Sequence, residues 1–272
     1  MRARLRIGLL AAALVIPALT PVTVQAQAFS AAPAGAAKAS GPDPELVIRL
    51  SKKLERELAA RGAQVAIIGR VGRPPEEMPP GMYYTHAAFA VYSDIRTADG
   101  RTLRGYATFN EYQSDDEPDT SSLVQDYPVD FYAGVARLEA MAIIPSPELQ
   151  RRLLAVILSP TYQALHDPHY SAIANPYTLG RQNCTEFVLD VIQAAIYGTS
   201  DIRVIKANSR AFFQAQEVEV NAVKLLFGSI FMREISLSDQ PTMPPVTATF
   251  ESLVRYLQRY DEGVQVFKVL PD

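Results

Sequence analysis

The chain is poor in the residues that usually advertise function. Its 272 residues include one cysteine, no tryptophan and three histidines. A single cysteine excludes an intramolecular disulfide framework. The histidines, His86, His166 and His169, leave few side chains for acid–base or metal chemistry. There is no basic cluster and no internal repeat. After residue 28 no stretch is apolar and long enough to span a bilayer. With 26 basic and 29 acidic residues the formal charge is −3, so nucleic acid is not an expected partner.

What is present begins with a targeting signal. Arg2, Arg4 and Arg6 precede an apolar run from Ile7 to Leu19. Val24-Gln25-Ala26 and Ala26-Gln27-Ala28 then form small-residue cleavage sites, a pattern predicting a signal peptide over 1–28. Its removal takes 26 basic residues to 23 against an unchanged 29 acidic, a net charge of about −6. The mature protein is therefore expected in the periplasm or secreted, without a stable membrane span. Residues 29–42, rich in Ala, Gly, Ser and Pro, read as a disordered leader. Residues 43–272 are expected to form one domain ending in a C-terminal helical extension. In an oxidising compartment a lone thiol is a liability unless it is buried or used.

The elements follow from periodicity and capping. Asp43-Pro44-Glu45 starts a helix whose apolar face is Leu46, Val47, Leu50, Leu54 and Leu58. Ala63 to Arg70 reads as a buried strand. Tyr84 to Tyr92 alternates, Asp99-Gly100 signals a turn, and Leu103 to Tyr112 is the returning strand. Ser114 to Ser122 reads as a loop, with a short helix near Phe131 and a strand over Leu138 to Ile144. Helices are expected from Ser146-Pro147-Glu148, over Pro160 to His166, over Ser209 to Gln216 and over Thr249 to Tyr260. Ile230 to Leu237 favours a strand. These elements predict an α+β fold, a small antiparallel sheet packed against helices.

Cys184 falls in Gln182-Asn183-Cys184-Thr185-Glu186-Phe187-Val188, at the first turn of another helix. Asn183 can serve as N-cap, with Glu186 as its capping-box partner. A thiol there meets the positive end of the helix dipole, and the same spacing also suits a small buried cysteine that only packs. A thiolate nucleophile needs a base and a third group to orient that base. His86 stands at a strand start, with Ala88 and Ala90 leaving room on its face. A two-residue turn at Asp99-Gly100 would place Glu111 and Gln113 on that face; a one-residue shift would place Asn110 and Tyr112 there. His166 and His169 could form a metal pair, but no carboxylate cluster accompanies them.

The order of these pieces carries a resemblance. A histidine strand, its hairpin partner, a Ser-Pro-Glu helix and an Asn-Cys-x-x-Phe-Val helix resemble the circularly permuted branch of the papain-like NlpC/P60 superfamily. More narrowly, Gly62-Ala63-Gln64-Val65-Ala66, Tyr84-Thr85-His86-Ala87-Ala88-Phe89-Ala90, Pro145 to Gln150 and Gln182-Asn183-Cys184 are similar to the bacterial family DUF2145. The resemblance implies a papain-like fold with Cys184 as nucleophile, His86 as base and Asn110 as orienting group, Glu111 remaining the alternative third member. First-turn backbone N–H groups and Gln182, supported by Asn183, would stabilise an oxyanion. The implied activity is hydrolysis or acyl transfer at an amide or ester bond, with no metal or cofactor. By fold analogy the substrate would be an envelope peptide such as a peptidoglycan peptide. The second expectation is a non-catalytic papain-fold binding module of the periplasm. Asp115-Asp116-Glu117 and Tyr127 to Tyr132 would then form its recognition surface.

Overall fold

The computed structural model describes residues 23–24, 41–97, 99–219 and 235–272. Apart from residues 23–24, the expected signal peptide lies outside these residues, as do nearly all of the expected leader and most of the expected strand over 230–237. The described chain is an α+β fold with a six-stranded antiparallel sheet and seven α-helices.

Three helices are set by local capping. Helix α1 (Pro44–Ala60) opens with Asp43 accepting the Glu45 N–H at 2.9 Å and buries Val47, Leu50, Leu54 and Leu58. Ser146 caps α3 (Pro147–Ile157). Helix α7 (Phe250–Tyr260) starts with a reciprocal Thr249–Ser252 pair, its hydrogen bonds 3.1 and 2.8 Å long. Between these lie α2 (Pro128–Ala133), α4 (Pro160–Ala164), α5 (Cys184–Tyr197) and α6 (Ile202–Phe212). The sixth helix lies upstream of the expected 209–216. Asp201 starts it by accepting the Arg203 N–H at 2.9 Å, and Phe213 is already extended.

The strands are β1 (Val65–Val71), β2 (His86–Arg96), β3 (Thr102–Gln113), β4 (Ser121–Asp126), β5 (Arg137–Ile144) and β6 (Gln265–Val269). Their spatial order is β4-β3-β2-β1-β5-β6. Where β2 outruns β1, Thr23 and Val24 pair in parallel with Asp94 and Ile95. Period-2 alternation divides the core. Val65, Ile67, Phe89, Val91 and Ile143 face α3, α5 and α7. Ala66, Ile68, Ala88, Ala90 and Ala142 face α1 and α2. The space expected above Ala88 and Ala90 is therefore filled, and room near His86 exists only past the end of the sheet. Phe131 and Tyr132 of the expected recognition surface are also fully buried in this layer.

The hairpin register decides which residues share the His86 face. Thr97 and Arg101 close a loop longer than the expected two-residue turn, and Gly100 within it has φ +82°. A left-handed residue in such a loop suits glycine. Phe89 consequently pairs with Phe109 and Ala90 with Thr108. Asn110 and Tyr112, not Glu111 and Gln113, share the His86 face.

The C-terminal segment packs into the core and the sheet. Phe250, Leu253 and Leu257 lie in the core, and β6 pairs with β5. Glu251 Oε1 accepts the Tyr83 and Tyr84 N–H groups at 3.1 and 3.0 Å, tying α7 to the approach to β2.

A Cβ placed on Gly69 would lie 2.8 Å from two Phe250 ring carbons. Gly69→Ala should therefore cost about 1–3 kcal/mol in urea unfolding. Phe250→Leu in the same chain should recover part of that loss. An unchanged midpoint for Gly69→Ala would show that the ring does not pack there.

Candidate active site

Cys184 is the first residue of α5, and the helix explains where its sulfur sits. Asn183 Oδ1 accepts the Thr185 and Glu186 N–H groups at 3.1 and 2.9 Å. Its Nδ2 donates to Thr247 Oγ1 at 3.1 Å, anchoring the cap to the segment before α7. Glu186 does not complete a capping box as expected. Its Oε1 instead accepts from Lys206 Nζ at 2.6 Å, inside the protein. Lys206 also reaches both oxygens of Asp190, at 2.8 and 2.7 Å. Burial pushes both carboxyl groups above their usual range, with the Lys206 ammonium opposing it. Burial alone would depress Lys206, but Asp190 and Glu186 outweigh it and hold the ammonium protonated.

Gln182 belongs to this interior network. Its Nε2 donates to Asp190 Oδ2 at 2.8 Å and to Leu165 O at 3.1 Å, and its Oε1 accepts the Asp167 N–H at 2.8 Å. No donor is left for an oxyanion, so its role is support. Among the first-turn N–H groups, Asn183 occupies two, and the Cys184 N–H has no partner among the described residues.

A cavity of about 230 Å³ opens where α5 meets the ends of β1, β2 and β3. Its walls include Cys184, His86, Glu111, Tyr112 and Arg70. Cys184 is 4% exposed, and its Sγ lies 3.8 Å from Thr185 Oγ1. Burial pushes the thiol up to about 11, against a backbone hydrogen bond from Ala87. No hydrogen bond joins Sγ to the imidazole. The His86 ring stacks on Tyr112 with centroids 5.0 Å apart, and its Nε2 is buried without a partner. Burial first, and the Arg70 charge second, hold the imidazole well below its usual range. Thiol and imidazole are thus both neutral at rest.

Asn110 stands behind His86. It favours the protonated ring, although its Oδ1 makes no close hydrogen bond. Its Nδ2 donates to Asp126 Oδ1 at 2.9 Å, and the Tyr112 hydroxyl donates to Asp126 Oδ2 at 2.9 Å. Thr108 donates to the same carboxylate. Three alternate residues of β3 thus converge on Asp126, at the end of β4. Burial pushes Asp126 up to about 6, against the Thr108 and Tyr112 hydrogen bonds. Sequence reasoning missed Asp126, since β4 reads as an unassigned polar segment.

Glu111, the alternative third member, faces away from His86 and toward the α5 layer. It is 1% exposed and neither carboxyl oxygen has a close partner. The nearby Ser121 hydroxyl lies 3.0 Å from His166 Nε2. Burial pushes Glu111 up to about 8, and Asp190 and Asp167 reinforce the shift while Ser121 and Lys206 oppose it. His166 and His169 do not meet at a metal site. His169 Nδ1 pairs with Asp167 at 2.7 Å, and no cluster of three potential metal ligands occurs among the described residues.

An α+β domain with a capped cysteine helix over this sheet is the class that fold and site define. Residues 57–257 match the family DUF2145, described as "Uncharacterized protein conserved in bacteria". The chain belongs to that family. Neither the curated proteins nor the solved structures contain a match. No helix among the described residues is long and apolar enough to cross a membrane.

Glu111 sets a pH test. Its contribution to stability is complete below its ordinary value of 4.5 and is lost as pH rises through about 8, because the unfolded carboxyl ionises first. Glu111→Gln should therefore gain on the wild type between pH 5 and pH 9 in denaturant melts. An equal difference at both pH values would mean that Glu111 is ionised in the fold.

Proposed function

We propose that this protein is an exported cysteine hydrolase or acyltransferase of papain-like, permuted NlpC/P60 type, acting on an amide or ester bond in the cell envelope. The observation that carries this reading is the shared cavity of Cys184, at a capped helix start, and His86, backed by Asn110. Because both groups rest neutral, the mechanism is general-base attack and requires no preformed ion pair. The Sγ proton passes to His86 Nε2 as sulfur bonds the substrate carbonyl carbon. The carbonyl oxygen becomes an oxyanion, for which the unpaired Cys184 N–H is the available donor. The imidazolium then protonates the leaving amine or alcohol as the carbonyl re-forms. Water, or an acceptor, repeats the sequence on the thioester and frees Cys184. Asn110, held by Asp126, orients the imidazole throughout.

The second reading, a periplasmic binding module, is favoured by one observation. The resting thiol is buried and pushed up to about 11, without a bond to His86.

Two measurements separate them. In a strain lacking the gene and showing an envelope defect, Cys184→Ser with intact fold should fail to complement, whereas full complementation would leave only the binding reading. Iodoacetamide alkylation of Cys184 at pH 7 should slow about a hundredfold or more in His86→Ala, the low side of general-base contributions. An unchanged rate would remove His86 as the base.

A further inference from the structure

Arg70, the penultimate residue of β1, is the cavity's unexplained cation. Its guanidinium carbon stands 4.9 Å over the Phe131 ring and 5.5 Å over Tyr112. Nη1 donates to the Phe131 carbonyl. Nε is buried with no hydrogen bond, and Nη2 has none among the described residues. No carboxylate pairs with Arg70 there. Arg70 is half-buried with its Nε fully enclosed, and a desolvated donor left without a partner is costly. Asp126 feels the Arg70 charge, but no acidic group hydrogen-bonds to it among the described residues. The oxygens of Asp126 are occupied by Thr108, Asn110 and Tyr112. Glu111 has no partner to stabilise a charge and so stands protonated in the other wall.

The open edge of Arg70 is the one made of Nε and Nη2. That edge presents two parallel N–H donors, the geometry that binds a carboxylate through both oxygens. Two aromatic rings and the Phe131 carbonyl fix the plane of the fork, so little side-chain entropy remains to be lost on binding. Gly72 also lines the cavity; a Cβ placed there would lie 3.0 Å from Thr85 Oγ1 and 4.0 Å from Arg70 Nε, so the missing side chain makes room for Thr85 beside Arg70.

We infer that the Cys184 cavity selects a ligand bearing a carboxylate, which docks on the Nε–Nη2 edge of Arg70 and places the neighbouring carbonyl at the thiol. This rests on the proposed hydrolase reading for the role of the carbonyl, but not for the binding of the carboxylate. Arg70 is thus a specificity-determining residue. The carboxylate could be a peptide C-terminus or an acidic side chain.

The test uses iodoacetate and iodoacetamide, alkylating agents of similar size that differ by one negative charge. Both react with the thiolate, so the ratio of their rates cancels any change in the Cys184 titration. For wild type the iodoacetate-to-iodoacetamide ratio should exceed that of glutathione by about tenfold, the factor given by about 1.4 kcal/mol. Arg70→Gln, and Arg70→Lys with its single point charge, should return it to the glutathione value. A wild-type ratio at or below that of glutathione, or one indifferent to both substitutions, overturns the proposal. If the buried thiol resists both reagents, thermal stabilisation of Cys184→Ala decides. N-acetyl-Ala-Ala carries a terminal carboxylate, N-acetyl-Glu-Ala amide a side-chain carboxylate, and N-acetyl-Ala-Ala amide neither. One of the first two should raise Tm and identify the source, with the effect lost in Arg70→Gln. Equal shifts from all three, or none from any, also overturn it. Failure of Cys184→Ser to abolish function would sink the hydrolase reading while leaving these binding results standing.

Discussion

The position of the cysteine end of α5 depends on one lysine. The helix is buried from Cys184 to Ala195, including Glu186 and Asp190, both inaccessible to solvent. Two buried carboxyl groups stay ionised only with a counter-charge, since each desolvated ion costs several kcal/mol. Lys206, from the next helix, supplies that charge to both. Gln182 then bridges Asp190 to the connection around Leu165 and Asp167, which fixes the chain entering the helix. Asn183 caps the first turn while bonding the segment before α7. The sulfur is placed by this polar interior, of which Asn183 alone also lines the cavity.

Around Lys206, Glu186 Oε1 and both Asp190 oxygens are bonded, while Glu186 Oε2 is buried without a partner. Along the cavity wall, Arg70 Nε, His86 Nε2 and both Glu111 oxygens are buried without close partners, as is Asn110 Oδ1 behind His86. Buried polar groups left this way are rare and costly. Asp126 stiffens that wall by gathering three side chains of one strand onto one carboxylate.

Much of the fold was legible because it rests on local rules. Asp43-Pro44, Ser146-Pro147, Asn183 and Thr249 mark helix starts, and apolar periodicity identifies the buried faces behind them. Cys184, His86 and Asn110 were legible as a set only through motif order; their side-chain relations depend on register. One extra loop residue before Gly100 exchanges Glu111 for Asn110 on the histidine face, and no local propensity signals it. Lys206 looks like an ordinary surface lysine, and its partners lie 16 and 20 residues away. Arg70 reads as the polar end of an apolar strand. Strands β4 and β6 were hidden because their residues are mixed in polarity and their pairing is non-local. Glu186 fits a capping box by spacing, yet the buried lysine is the stronger partner.

The bonds from Glu251 to the Tyr83 and Tyr84 backbone have a consequence for the order of assembly. The cavity's walls are drawn from around Arg70, His86, Glu111, Cys184 and Thr249, so no short fragment contains them all. A chain emerging from the ribosome would present its cysteine long before the last wall had followed. The pocket is complete only once the segment carrying Thr249 has joined the other walls.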